Sequence, residues 1–171
     1  MAAKESEMLR RAFLLTLFNT GCRISEALNL TVERVDFANQ DAVFETLKRR
    51  KSGLFRGVPI PDSLVELLRQ ITPKENPSAR VWTFSRPTAY RLVKECMARG
   101  GIRGGMASPK GLRHGFAVAC LSQKIPLTTV QKWLGHARLE TTAIYLDVSG
   151  DEERKLAERL WEQTNGKTEL D

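Results

Sequence analysis

The sequence predicts a mainly α domain with one small antiparallel β-sheet, an α+β arrangement. Apolar residues recur at helical spacing over most of the chain. Two short alternating runs flank a charged turn containing a glycine, the pattern of a hairpin. Glycine, proline and cap-type residues punctuate the ends of these runs. At 171 residues, 42% hydrophobic and 27% charged, the chain fits a single domain, 1–171, large enough to bury a core.

Each element has its own local signal. "SEMLRRAFLLTLFNTG" reads as a helix capped by Ser6 and closed by Gly21, and "RISEALNL" as a second, short one. "AVFETL" and "RGVPIP" read as two strands around "KRRKSG", with Gly53 in the turn. "DSLVELLRQI" is a helix capped by Asp62, followed by a Pro-rich loop over 72–80. "PTAYRLVKECMARGG" ends at Gly100 and Gly101. "SPKGLRHGFAVACLSQK" begins with Ser108 as cap and Pro109 in the first turn. Helices are expected over 127–134 and 139–147, and a last one in "DEERKLAERLWEQ". Cys22, Cys96 and Cys120 each sit in an apolar helix-like stretch and read as reduced core residues.

Charge narrows the function classes. The net charge is +7, but residues 151–171 hold four basic and seven acidic residues, leaving 23 basic and 13 acidic in the first 150. A basic body with an acidic tail suits a polyanionic partner for the body and a protein partner for the tail. No stretch approaches the ~20 apolar residues of a membrane span. The N-terminus has no signal-peptide pattern, so a cytoplasmic location is expected. There is no Gly-rich phosphate loop ending in Lys-Ser/Thr, and no acidic cluster at metal-ligand spacing. Phosphate chemistry, if present, would fall to cationic side chains, with no metal or other cofactor expected.

Four stretches carry that chemistry. In "TGCRISEAL", Arg23 follows a helix-ending glycine and Glu26 lies three residues on, the same helical face. A guanidinium offers a planar fork to phosphate and a carboxylate can orient it, although a surface ion pair has the same spacing. "KRRKSGLFRGVP" holds Lys48, Arg49, Arg50 and Lys51 at a hairpin tip, either a solvated turn or a finger for a DNA groove with a lysine as general acid. "SPKGLRHGFA" puts Lys110 in a first helical turn, where free amides and the dipole attract anions, with Arg113 one turn on. His114 lies elsewhere around that helix and reads as a packed, hydrogen-bonded histidine. "LGHARLETTAIYLDV" places His136 after a helix-ending Gly135, and Tyr145 nine residues later on the next helix. Such a tyrosine is also a common core residue.

Together and in this order, the four stretches resemble the boxes of the tyrosine recombinase (phage integrase) family's catalytic domain. "TGCRISEAL" is similar to its first arginine box, and "KSGLFRGVPIP" to its hairpin lysine box, with Lys51 eight residues before Pro59. "SPKGLRHGFA" and "LGHARLETTAIYLDV" are similar to its second and third boxes. The four-box region spans about 6–148 and the resemblance continues to about 162. It implies that family's catalytic-domain fold. It implies a site-specific recombinase that cuts and rejoins DNA through a 3′-phosphotyrosyl intermediate without ATP or metal. Tyr145 would be the nucleophile, Arg23 and Arg113 would clamp the non-bridging oxygens, and His136 would donate to the same phosphate. Lys51 would protonate the leaving oxygen, Glu26 would support the first arginine, and Lys48, Arg49 and Arg50 would meet DNA. The partner would be double-stranded DNA, with a monomer in free solution and a tetrameric synapse on DNA. In that setting the helix over about 151–162 either docks on a neighbouring subunit or folds back on its own domain.

Two departures stand out. Lys110 occupies the place where the family usually has histidine, and a lysine donates to phosphate but is a poor proton acceptor. The catalytic pattern also begins almost at Met1, so the family's N-terminal core-binding domain is expected to be absent from it, the chain being either a fragment of a longer recombinase or one of the family's short members. Two alternatives use the same residues: a non-catalytic DNA-binding regulator on this fold, and a type IB topoisomerase-like enzyme.

Overall fold

The computed structural model describes residues 2–46, 53–72 and 76–144. Its long first helix, α1 (Ala2–Thr20), is built on a stripe of Leu9, Ala12, Phe13, Thr16, Leu17 and Thr20, three and four residues apart. Phe13 meets Trp82 edge-on at 5.4 Å and Phe84 at 5.6 Å. Thr16 and Thr20 are fully buried and donate their hydroxyls back to the carbonyls of Ala12 and Thr16. The helix begins before Ser6, which is therefore not its cap; Ala, Lys and Glu in positions 2–5 propagate a helix without one. It stops at Gly21, whose φ of +58° is left-handed. A Cβ there would lie 2.4 Å from the Phe116 ring, so this glycine also lets α1 end directly against a later helix.

α2 (Ile24–Leu28) follows at once, then a 3₁₀ turn (Val32–Arg34) and a three-stranded antiparallel sheet. Its strands are β1 (Val35–Asp36), β2 (Asp41–Glu45) and β3 (Phe55–Pro59), in that order across the sheet. β2 and β3 are the expected hairpin, in a register that pairs Phe44 with Arg56 and Asp41 with Pro59. β1 was not expected, because two residues are too few to show an alternation. The inward positions of β2 and β3 are Ala42, Phe44, Arg56 and Val58, an apolar face with one cation in it.

α3 (Asp62–Ile71) lays Leu64, Val65 and Leu68 on the core. Asp62 is its first residue, not its cap; Pro61 holds the cap position, and the Asp62 carboxylate accepts from the Gln40 side chain. α4 (Arg86–Arg99) is capped by Ser85, whose Oγ accepts from the Thr88 amide. α5 (Pro109–Ser122) has Ser108 as cap, as expected, accepting from the Gly111 amide at 3.3 Å. α6 (Leu127–Leu134) and the short α7 (Glu140–Ala143) complete the described chain. Of the cysteines, Cys22 and Cys120 are buried, but Cys96 is exposed. It falls on the outer face of α4, whose core side is Ala89, Leu92, Val93 and Met97.

The main core gathers α1, α2, the sheet, α3, α4 and Trp82. A second, smaller cluster joins Ala117 and Cys120 of α5 to Val130 and Leu134 of α6. No helix among the described residues is long and apolar enough to cross a membrane.

Candidate phosphate-binding site

Between the two clusters the interior turns polar. Arg23 is the N-cap residue of α2, in extended conformation, so the following turn leaves backbone donors facing outward. Glu26, three residues on, turns back to them. Its carboxylate accepts from the Arg23 amide at 2.8 Å and from the Arg23 guanidinium at 2.7 Å. The same Oε2 that accepts from the Arg23 amide also accepts from Arg56 of β3 at 2.5 Å. Glu26 is 2% exposed and Arg56 6%, so this is a buried pair, whereas Arg23 stays partly open to solvent.

Burial works hardest against the Glu26 charge. The bonds and positive field of Arg56, together with those of Arg23, outweigh it and hold the carboxyl below its usual value.

Arg56 has two further partners. Its Nε donates to the Trp133 carbonyl at 2.7 Å and a terminal nitrogen to Thr46 Oγ1 at 3.1 Å. Arg113 of α5, 8% exposed, donates to the Leu134 carbonyl at 2.7 Å and to the Gly21 carbonyl at 2.8 Å. Two guanidiniums therefore satisfy the carbonyls at the end of α6, where the helix dipole also favours cations. α6 ends at Gly135, with φ of +66°, and the His136 amide returns to the Gln131 carbonyl. Gly135 is further required by a close approach, since a Cβ would lie 2.9 Å from a terminal nitrogen of Arg56.

His136 is thus set beside this centre by the turn itself. Its Nδ1 lies 2.9 Å from the hydroxyl of Thr142, a fully buried residue of α7. Burial pushes the imidazole down to about 4, helped by Arg113, Arg23 and Arg56 and only partly countered by Glu26. The ring is therefore neutral at pH 7 and carries one N–H. Where the Thr142 hydroxyl donates to Nδ1, that hydrogen is on Nε2; where it accepts, the hydrogen is on Nδ1. His136, Arg56, Thr46, Gln131 and Lys132 line a cavity of about 280 Å³. A larger opening of about 870 Å³ lies elsewhere, between α1 and α4, and is lined largely by apolar side chains such as Leu14, Phe18, Val93 and Met97.

The structure thus brings together Arg23, Glu26, Arg113 and His136 from three separated stretches of sequence. Lys110 stands apart by environment. It is exposed in the first turn of α5, while Arg113 on the next turn is buried. His114 is half-buried on the same helix. Tyr145, Lys51, Lys48, Arg49, Arg50 and the expected helix over 151–162 lie outside the described residues. Sequence reasoning missed Arg56 and Thr142. Arg56 did leave a signal: alternation in "FRGVP" puts it on the same inward face as Val58, where a cation must have a buried partner.

Arg23 and Arg56 bond one carboxylate and Arg113 lies close enough to act on the same histidine, which leaves a surplus of positive charge beside a neutral imidazole. That combination suits a phosphate diester, which presents two negative or partly negative oxygens to planar donors. Among the described residues no group of three or more His, Cys, Asp or Glu side chains is placed to hold a metal ion.

Comparison with known proteins gives the same direction. The family model described as "Phage integrase family" matches residues 1–152. The chain is 33% identical over 159 residues to tyrosine recombinase XerA of Pyrococcus furiosus, covering 87% of this chain and 54% of that protein. It is 34% identical over 149 residues to tyrosine recombinase XerD of Mycobacterium tuberculosis, covering 79% of this chain and 46% of that one. Among solved structures it resembles the XerH site-specific recombinase bound to palindromic difH substrate in a post-cleavage complex. The TM-score there is 0.71 at 24% identity, over 92% of this chain and 47% of that one. The chain spans about half the length of the curated relatives it matches.

Proposed function

Since this chain belongs to the phage integrase family and has the tyrosine recombinase catalytic-domain fold, we propose that it cuts and rejoins DNA strands at specific sites through a tyrosyl–DNA intermediate. The carrying observation is the arginine centre. Arg23 and Arg113 are fixed by bonds to Glu26 and to backbone carbonyls, beside a histidine kept neutral, before any substrate arrives. Donors held in place cost no reorganisation when charge grows on a phosphate, which is the condition for stabilising a pentacoordinate transition state.

In this reading Tyr145 Oη attacks the scissile phosphorus. The new P–O bond forms as the bond to the 5′ oxygen breaks, leaving a 3′-phosphotyrosyl link and a free 5′-hydroxyl. Arg23 and Arg113 hold the non-bridging oxygens, and the His136 Nε2–H donates to one of them. Lys51 gives a proton to the departing 5′ oxygen, and the phenol proton leaves to solvent or a nearby base. The reverse reaction with another strand's 5′-hydroxyl completes the exchange. Bond energy is kept in the phosphotyrosyl link, so no ATP is spent. Lys110, exposed at the start of α5, serves as a phosphate donor and not as a base. The partner is double-stranded DNA, and strand exchange calls for self-association on it, with the 151–162 segment as the linking element.

The test is a denaturing gel after incubation with nicked duplex DNA in EDTA, beside Tyr145→Phe. An SDS-resistant adduct in the first lane and none in the second is the expected result. Salt-sensitive binding without any adduct refutes strand cutting by this chain and leaves the DNA-binding regulator.

A further inference from the structure

We propose that Arg56 is a positioning residue for the phosphate chemistry of Arg23 and His136, an inference that rests on the strand-cutting reading. Its guanidinium makes three bonds in three directions, to elements far apart in sequence. Glu26 belongs to α2, Thr46 follows β2, and the Trp133 carbonyl belongs to the last turn of α6. Each bond has a consequence for the site. The bond to Glu26 fixes the carboxylate that holds both the amide and the guanidinium of Arg23. The bond to Trp133 fixes the turn that presents His136 three residues later. Gly135 is shaped to this contact, its missing side chain leaving room for the guanidinium against the backbone.

Arg56 is 6% exposed, and all three of these partners belong to the protein itself. It therefore acts through Arg23 and His136 and does not itself touch DNA. The planar fork is what the place demands. A lysine keeps the charge but cannot reach a carboxylate, a hydroxyl and a carbonyl in three fixed directions at once.

Two readouts separate positioning from general stability. In the free 171-residue chain, Arg56→Lys is compared with wild type by the Arg23 Nε–H and His136 ring resonances, well below either protein's melting temperature. The expected result is that both sets of signals move or broaden while the main-core methyl signals stay in place. The single-turnover rate of adduct formation is then measured on a nicked duplex selected by the wild-type protein from random-sequence DNA. At saturating DNA the rate falls roughly tenfold to a hundredfold, as small misplacements do, and the half-saturating DNA concentration is unchanged. Signals that stay wild-type, or a defect confined to half-saturation, overturn the proposal. If Arg56→Lys does not fold, Thr46→Val removes one partner only. The same signals then move by less, and unmoved signals overturn the proposal equally. A wild-type chain that forms no adduct refutes strand cutting itself, and the resonance comparison still decides whether Arg56 holds Arg23 and His136 together.

Discussion

The molecule has two interiors that are held together differently. One is apolar: Phe13, Leu17, Leu64, Leu68 and Trp82 pack α1, α3 and the segment before α4 with nearly no exposure. The other is polar: Glu26, Arg56, Arg113 and Thr142 are also buried, but each is fixed by directed bonds, those of Glu26, Arg56 and Arg113 to elements distant in sequence. Apolar burial is non-directional and tolerates exchange at constant volume. A buried charge cluster tolerates almost none, because removing one member leaves the others desolvated and unpaired. The first interior supplies stability. The second trades stability for donors fixed in space, which a phosphate site needs.

The largest break in that comparison comes at Glu26. Glu26→Ala strands the Arg56 guanidinium and costs about 3–5 kcal/mol in urea unfolding. Leu64→Met, equally buried, costs less than about 1.5 kcal/mol. Similar losses at both positions would erase the distinction between the two interiors. Next in size is Gly135→Ala, where left-handed backbone costs about 1–2 kcal/mol before the contact with Arg56 is counted. Its test is a double variant with Arg56→Lys, in which the two losses come out less than additive.

Acid sharpens the contrast without a mutation. His136 has a folded pKa near 4 against an unfolded value of about 6.5, so the unfolded chain takes up this proton first as pH falls. Its contribution to stability is complete above about 6.5 and is lost on the way down to 4. Glu26, also lowered, adds a loss of the same sign below the ordinary carboxylate range. The urea midpoint should therefore fall between pH 7 and 4, with a smaller fall in His136→Asn, and the imidazole signals should titrate near 4 in NMR. A titration near 6.5 would mean that the ring is not held neutral by its surroundings. The smallest effect belongs to Lys110→His. The exposed position predicts a stability change within about 0.5 kcal/mol, with adduct formation kept or raised. Complete loss of the adduct would give Lys110 a role beyond donating to phosphate.

These two interiors also differ in how far the sequence discloses them. Periodicity marks the helices of the apolar core, and Ser108 and Gly135 mark ends that the structure keeps. The misplacements have local causes: good helix formers carried α1 past Ser6, and Cys96 lies on the outward side of an apolar-looking helix. The polar interior discloses its members singly, not its wiring. Arg23 and Glu26 are neighbours in sequence, but Arg56 meets Glu26 from 30 residues away. Alternation in "FRGVP" turns it inward beside Val58, but nothing local names Glu26 as its partner. Gly135 is legible as a helix stop, while its second task, making room for Arg56, exists only once β3 is folded against α6. Tyr145 and Lys51 rest on the sequence pattern alone.

The most direct measurement is the identity of the residue that carries the DNA. The SDS-resistant adduct, trimmed by nuclease and digested with protease, is mapped by tandem mass spectrometry. A nucleotide attached through its 3′-phosphate to Tyr145 is the predicted result. Attachment at any other residue, or through a 5′-phosphate, would contradict the proposed chemistry and the roles given to the residues around it.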